Sequence, residues 1–331
     1  MATFLPKLIA LCLLAVPATA AVAQNPRLPT EDAIRIKEFY SLATALQDKL
    51  WPGWSKVPAP LMLVTSDTEF LTHHAAPPKE MQMVEHDLYA RPRQFPTGFQ
   101  ATFPAFGPPA VMVVGQPVNT ASKRSTPWLF MVMHEHFHQL QWAQPGYMDA
   151  INGLGLSRGD TTGMWMLNYP FPYENPEVVK SFHALRDLLL IVLEEKDEVA
   201  FKKLANQYLE QRKKFFALLS ADDHKYFSFQ LWQEGIARYT EVKAAELAAD
   251  YHPATEFAAL TDYESFASYA AKARPNTLSE LREANLTSWR RTVVYSFGAA
   301  EGFFLDRVNP GWKGRYFAAT LSADAYFELK N

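Results

Sequence analysis

Apolar residues fall at helical spacing at the start of the chain, at Ile36, Phe39, Tyr40, Ala43, Leu46 and Leu50. This pattern predicts an amphipathic helix over 31–50, ended by Trp51-Pro52-Gly53. The texture then changes. Leu61-Met62-Leu63-Val64, the segment from Glu80 to Ala90, Phe99 to Phe103 and Val111-Met112-Val113-Val114 are short apolar or alternating runs between proline-rich turns, which predict strands. The last run leads through a loop into Pro127-Trp128-Leu129-Phe130-Met131-Val132-Met133, which lacks Gly and continues without a break to His138. Here Pro127 is expected as the first helical residue, capped by Ser125 or Thr126. An extended segment ending at Gly115 is thereby expected beside this helix, where a peptide could add as a further strand.

Residues 144–177 are rich in Gly, Asn, Pro and aromatics, and predict a long loop walling a pocket. Helical stripes follow at Phe182, Leu185, Leu189 and Val192, and at Phe201, Leu204, Tyr208, Phe215 and Leu218. Further helices are predicted over about 222–250 and 287–306, the last with Gly298 and Gly302 spaced for close helix packing. The fold class that results is α+β. A small β-rich lobe with its leading helix (24–126) is expected against a mainly helical lobe (127–331), the two forming one unit.

Chemistry interrupts the apolar helix at His134-Glu135-His136-Phe137-His138, an H-E-x-x-H sequence. Residues four apart share one helix face, so His134 and His138 can offer two imidazole nitrogens to one Zn²⁺. Glu135 points about 100° round the helix and can reach a metal-held water without ligating. His136 faces away and is expected to hydrogen-bond a neighbouring helix. The bland reading is a polar face with solvated histidines. It fits poorly with the apolar run before His134, because buried polar groups need partners.

Residues 1–23 carry one charge, Lys7, a short apolar stretch at 8–16 and Ala21-Val22-Ala23 before Gln24. This pattern predicts a cleaved signal peptide and an exported, periplasmic or secreted, protein. Cys12, the only cysteine, would leave with it, so neither a disulfide nor a thiolate ligand is expected. Without Lys7 the remaining 35 acidic and 31 basic residues give a net charge of −4. That balance speaks against nucleic acid or an anionic membrane as partner. No later segment is apolar for long enough to span a bilayer.

A catalytic zinc site takes three protein ligands and keeps one position open. Gln141 and Gln144 stand where the longer H-E-x-x-H-x-x-G-x-x-H pattern would have Gly and His. A carboxylate is therefore expected as third ligand. Glu234, in an apolar and aromatic segment beside Gly235, is the best candidate. Glu194 and Glu195 are rivals at a helix end, and an ion pair from Glu234 to Arg238 is the competing reading. Glu241, two turns on, is placed to accept a ring N–H from a metal-binding histidine, or to be a surface charge.

His134-Glu135-x-x-His138 followed by Glu234-Gly235-Ile236-Ala237-x-Tyr239 resembles the gluzincin metallopeptidases, as does the order of strands, metal helix, ligand helix and closing helices. The separation of His138 from Glu234 is longer than in many of them, and the 144–177 loop with two extra helices would account for it. The resemblance implies a zincin-like helical lobe and one Zn²⁺ per chain held by His134, His138 and Glu234. It also implies Glu135 as general base and a peptide or protein substrate. Tyr295 is the first choice to stabilise the oxyanion, with Tyr239 or His224 as alternatives. Two other functions stay open: hydrolysis of another amide or ester by the same water, and metal binding without turnover. An intact Glu135 argues against the second.

Overall fold

The computed structural model describes residues 26–318 and 321–328; the expected signal peptide lies outside them. The chain opens with helix α1 (Thr30–Leu50). Strands β1 (Leu61–Val64), β2 (Thr68–Thr72), β3 (Gln82–Glu85), β4 (Leu88–Pro92), β5 (Gln100–Phe103) and β6 (Val111–Gly115) follow. They form one mixed sheet in the order β3-β4-β2-β1-β6-β5, parallel only between β1 and β6. The remainder is helical: α2 (Ser125–Trp142), α3 (Tyr147–Gly153), α4 (Trp165–Asn168), α5 (Pro176–Glu194) and α6 (Glu198–Ala217). Then come α7 (Ala221–Gln230), α8 (Ile236–Leu247), α9 (Thr255–Ala258), α10 (Phe266–Glu283), α11 (Leu286–Trp289) and α12 (Val293–Val308). The fold is α+β. No helix among the described residues is long and apolar enough to cross a membrane.

The central strands β1 and β6 are apolar on both faces because both faces are covered. Leu61, Leu63, Met112 and Val114 join the main core, which also holds Phe39 and Leu42 of α1 and Phe130 and Phe137 of α2. Met62, Val64, Val111 and Val113 face a second cluster roofed by Phe95, Phe99 and Phe103. The alternation of the two sets is the two-residue period of a strand. Helix α1 shares the main core with the helices, although its sequence position grouped it with the strands.

Several expectations change. Glu80–Ala90 is a hairpin of β3 and β4, not one run. Strand β2 was not anticipated; its buried Glu69 is satisfied by Arg91 Nε at 2.7 Å and by the backbone N–H groups of Gln94 and Phe95. Strand β6 lies between β1 and β5, so the sheet edge beside α2 belongs to β5, and β3 forms the far edge. The 144–177 segment carries α3 and α4. Helix α10 was hidden by its internal Pro275.

Helix α2 begins at Ser125 with Arg124 at the cap position and no side-chain cap. Pro127 is its third residue, where the N–H it lacks would be unpaired in any case. The hydroxyls expected as caps anchor a distant loop instead. Ser125 donates to Asp262 at 2.6 Å, and Thr126 donates to the Glu264 carbonyl at 2.6 Å. At the other end Gln139 donates to the carbonyls of Pro60 and Ala110, which pins α2 across the starts of β1 and β6.

The long helix expected over 222–250 is α7 and α8 joined by a π-turn at Leu231–Gly235, whose last bond runs from Ile236 N–H to Leu231 C=O. Gly235 meets Gly298 of α12 there, and a Cβ on Gly235 would stand 2.6 Å from the Gly298 Cα. Both glycines are needed for this close backbone approach. One turn on, a Cβ at Gly302 would stand 2.5 Å from the Tyr239 ring. Gly235→Ala must push α12 off the π-turn, and a destabilisation of about 1–3 kcal/mol is expected in urea unfolding. Gly153→Ala, in open space at the end of α3, should change stability by less than about 1 kcal/mol. Equal effects at the two positions would contradict the packing account.

Candidate metal centre

The H-E-x-x-H segment lies in the middle of α2, where His134, Glu135 and His138 are all buried. Glu234 comes from the π-turn and faces both histidines. Its Oε2 is 3.5 Å from His134 Nε2 and 3.3 Å from His138 Nε2, and the two Nε2 atoms are 3.1 Å apart. Ligands held tetrahedrally at 2.0–2.1 Å from Zn²⁺ stand about 3.4 Å from one another. The three atoms therefore fit three corners of one such site.

The partners of the outer ring nitrogens decide what the inner ones carry. Gln141 is fully buried, and its Nε2 donates to the carbonyls of Trp232 and Gln233 and to the Tyr316 hydroxyl at 3.3, 3.1 and 2.9 Å. That hydroxyl itself donates to the Trp232 carbonyl, so it must accept from Gln141. The Gln141 carbonyl oxygen is thus fixed toward His138 Nδ1, 2.7 Å away, which must carry the proton. His134 Nδ1 faces Glu241 Oε2 at 3.4 Å, again an acceptor. Both neutral rings then present bare Nε2 lone pairs to each other and to a carboxylate. Three acceptors converging without a donor need a cation between them, either a metal ion or a proton.

Electrostatics agree. Burial alone would push the His134 imidazole down, but Glu234, Glu241 and Glu135 outweigh it and hold its pKa up to about 10. Burial likewise raises the Glu234 carboxyl, and His138, His134 and Arg291 overcome this and hold it well below the usual carboxylate range. His136 is on the opposite face, as expected. It bonds Gln139 and Gln47 of α1 at 2.8 and 2.9 Å, and burial takes its pKa down to about 4.

Glu135 lines the cavity beside these three groups. Thr102 of β5 lies 2.8 Å from its Oε2 and 2.9 Å from its backbone carbonyl, and ties the carboxylate to the edge strand. Tyr295 lines the same cavity, its ring 6.1 Å from that of His134, and its hydroxyl accepts from Arg291 at 3.3 Å. The cavity holds about 780 Å³ and is bordered by Gln100, Ala101 and Thr102 on the β5 side.

Other candidates lie elsewhere. The Tyr239 hydroxyl donates to Asp306 at 2.8 Å, and the ring packs on Gly302, outside the cavity. His224 pairs with Asp324 at 2.9 Å on a different surface. Glu194 pairs with Arg282, and Glu195 accepts from the N–H groups of Lys196 and Asp197. Arg238 pairs with Glu241 and Glu280, not with Glu234. The partner of Glu234 is Arg291, whose Nη2 reaches Oε1 at 2.8 Å while its Nε donates to Gln230.

Sequence reasoning missed Arg291, Gln141 and Thr102. Gln141 had a usable signal: it lies three residues after His138, on a neighbouring part of the same helix face. Arg291 and Thr102 had none, since each meets its partner only through the tertiary fold. No family model, curated protein or solved structure matches the chain.

The raised His134 pKa gives a proton-linkage prediction. In the metal-free protein this group keeps its proton at neutral pH, and the stability it contributes is full below about pH 6.5 and lost as the pH rises through about 10. Zn²⁺ must displace that proton. Calorimetry at pH 7.5 in buffers of different ionisation heat should show about one proton released per ion, and apparent affinity should rise with pH up to about 10. Binding with no proton release would contradict a protonated centre.

Proposed function

We propose that the chain is a zinc-dependent peptidase of the gluzincin type, built on a zincin-like fold, that hydrolyses peptide bonds of peptides or proteins. The observation that carries this reading is the convergence of His134 Nε2, His138 Nε2 and Glu234 Oε2, with the separate carboxylate of Glu135 beside them in an open cavity. Export is included in the reading on the sequence of residues 1–23 alone. A buried site of two imidazoles and one carboxylate suits Zn²⁺, with one ion per chain.

When bound, the ion supplies a Lewis acid and brings a water's pKa toward neutrality. Glu135 takes the proton of the attacking water and returns it to the amine as the C–N bond breaks, so the products are a carboxylate and an amine. Thr102 holds that carboxylate toward the cavity. Tyr295 lines the cavity and would donate its hydroxyl to the carbonyl oxygen as negative charge develops there, with Arg291 donating to the hydroxyl from behind. Burial chiefly, then the charge of Glu234, raises the Tyr295 phenol, which keeps it a donor across the working pH range. The open edge of β5 offers backbone N–H and C=O groups to an extended chain, which favours a peptide over a small amide or ester.

Glu135→Gln keeps the shape of the side chain but cannot accept the proton. Elemental analysis should find zinc retained, while turnover of a peptide mixture should fall by about 10²–10⁴. Full activity in this variant would remove the mechanism.

A further inference from the structure

We propose that a second cavity adjoining the metal site is a subsite for a large apolar side chain of an extended peptide, several residues from the bond that is cut. The inference rests on the peptidase reading and adds a substrate preference to it. The second cavity holds about 600 Å³, against 780 Å³ for the first, and each is large enough for a ligand-sized group. Leu167 and Arg291 line both, so the two adjoin, with these side chains on their shared boundary. Leu167 is about half exposed at the junction, where it is free to cover a passing chain.

The wall is aromatic and fixed. Tyr169 stacks on Tyr226 at 4.3 Å, and Phe171 stacks on Phe227 at 5.2 Å and lies 4.9 Å from Tyr173. The Tyr169 hydroxyl is already bonded to Asp223 at 3.1 Å and the Tyr173 hydroxyl to Tyr226. Tyr169, Phe171 and Tyr173 are 4–7 % exposed, so the wall offers ring edges, with Leu167, Pro170 and Pro172 beside them. Its charges are committed too. Arg291 turns to Glu234, and Arg290 and Glu174 close on each other at 3.0 Å on the exposed rim. Arg290 has φ +50°, a strained value for a non-glycine, at the turn that sends two consecutive arginines to these different partners. A charged side chain entering here would lose water against the ring edges and prolines of the wall, whereas an apolar one would pack on them.

The test uses zinc-loaded Glu135→Gln protein and fluorescein-labelled octapeptides in which one Phe, or one Asp in its place, is moved along a Gly-Ser-Ala background. Anisotropy should show one position where Phe binds at least about tenfold tighter than Asp. Asn168→Trp fills the cavity from an exposed position, and Leu167→Lys puts an ammonium at the junction, where it attracts the Asp peptide and removes apolar cover from the Phe peptide. Each should bring that gap within about twofold. Equal binding of Phe and Asp peptides at every position, or a gap that survives both substitutions, overturns the subsite. The wild type is assayed for cleavage of the same peptides. Selective binding without cleavage would sink the peptidase reading and leave the subsite; cleavage without selectivity would do the reverse.

Discussion

Two buried imidazoles cannot face each other through bare nitrogens 3.1 Å apart, with a carboxylate closing the triangle, unless a cation lies between them. This constraint organises the molecule. Gln141 and Glu241 hold protons on the outer nitrogens of His138 and His134 and so keep the inner ones bare. Arg291 takes one oxygen of Glu234 and leaves the other to the histidines. Much of the surrounding structure serves to hold these groups 3.1–3.5 Å from one another.

Two devices do so. Helix α2 is pinned to the sheet by Gln139, and Trp128 Nε1 ties it to the Gly115 carbonyl at the end of β6 at 2.8 Å. The π-turn beside it carries Glu234 and exposes the Trp232 and Gln233 carbonyls to side-chain donors, so the irregular backbone that places Glu234 against the histidines also orients Gln141. Such turns inside helices are common at functional sites. The contact of Gly235 with Gly298 then brings α12 close enough for Arg291 and Tyr295 to reach the cavity.

What was legible in the sequence follows the range of the interactions. His134, Glu135 and His138 are set by one helix, so spacing alone placed them. The helical stripes of α5 and α6 and the alternation in β1 and β6 are local in the same sense. Glu234 stood out because a charge interrupts an aromatic segment, although its partner is Arg291, 57 positions away, not the nearby Arg238. Tyr239 lies on the same helix but packs toward α12, an outcome that depends on the helix crossing at Gly302. Strand β2 was lost because its Glu69 reads as surface until Arg91 and the turn after β4 are brought to it. The open sheet edge was assigned to β6 because chain order says nothing of β5 folding back outside it.

The central claim is that His134, His138 and Glu234 share one metal ion. Elemental mass spectrometry of purified protein supplied with zinc, beside a Glu234→Ala variant, tests it most directly. The account predicts about one zinc per chain in the wild type and its near-complete loss in the variant. Zinc held equally well without Glu234, or none in either protein, would contradict it.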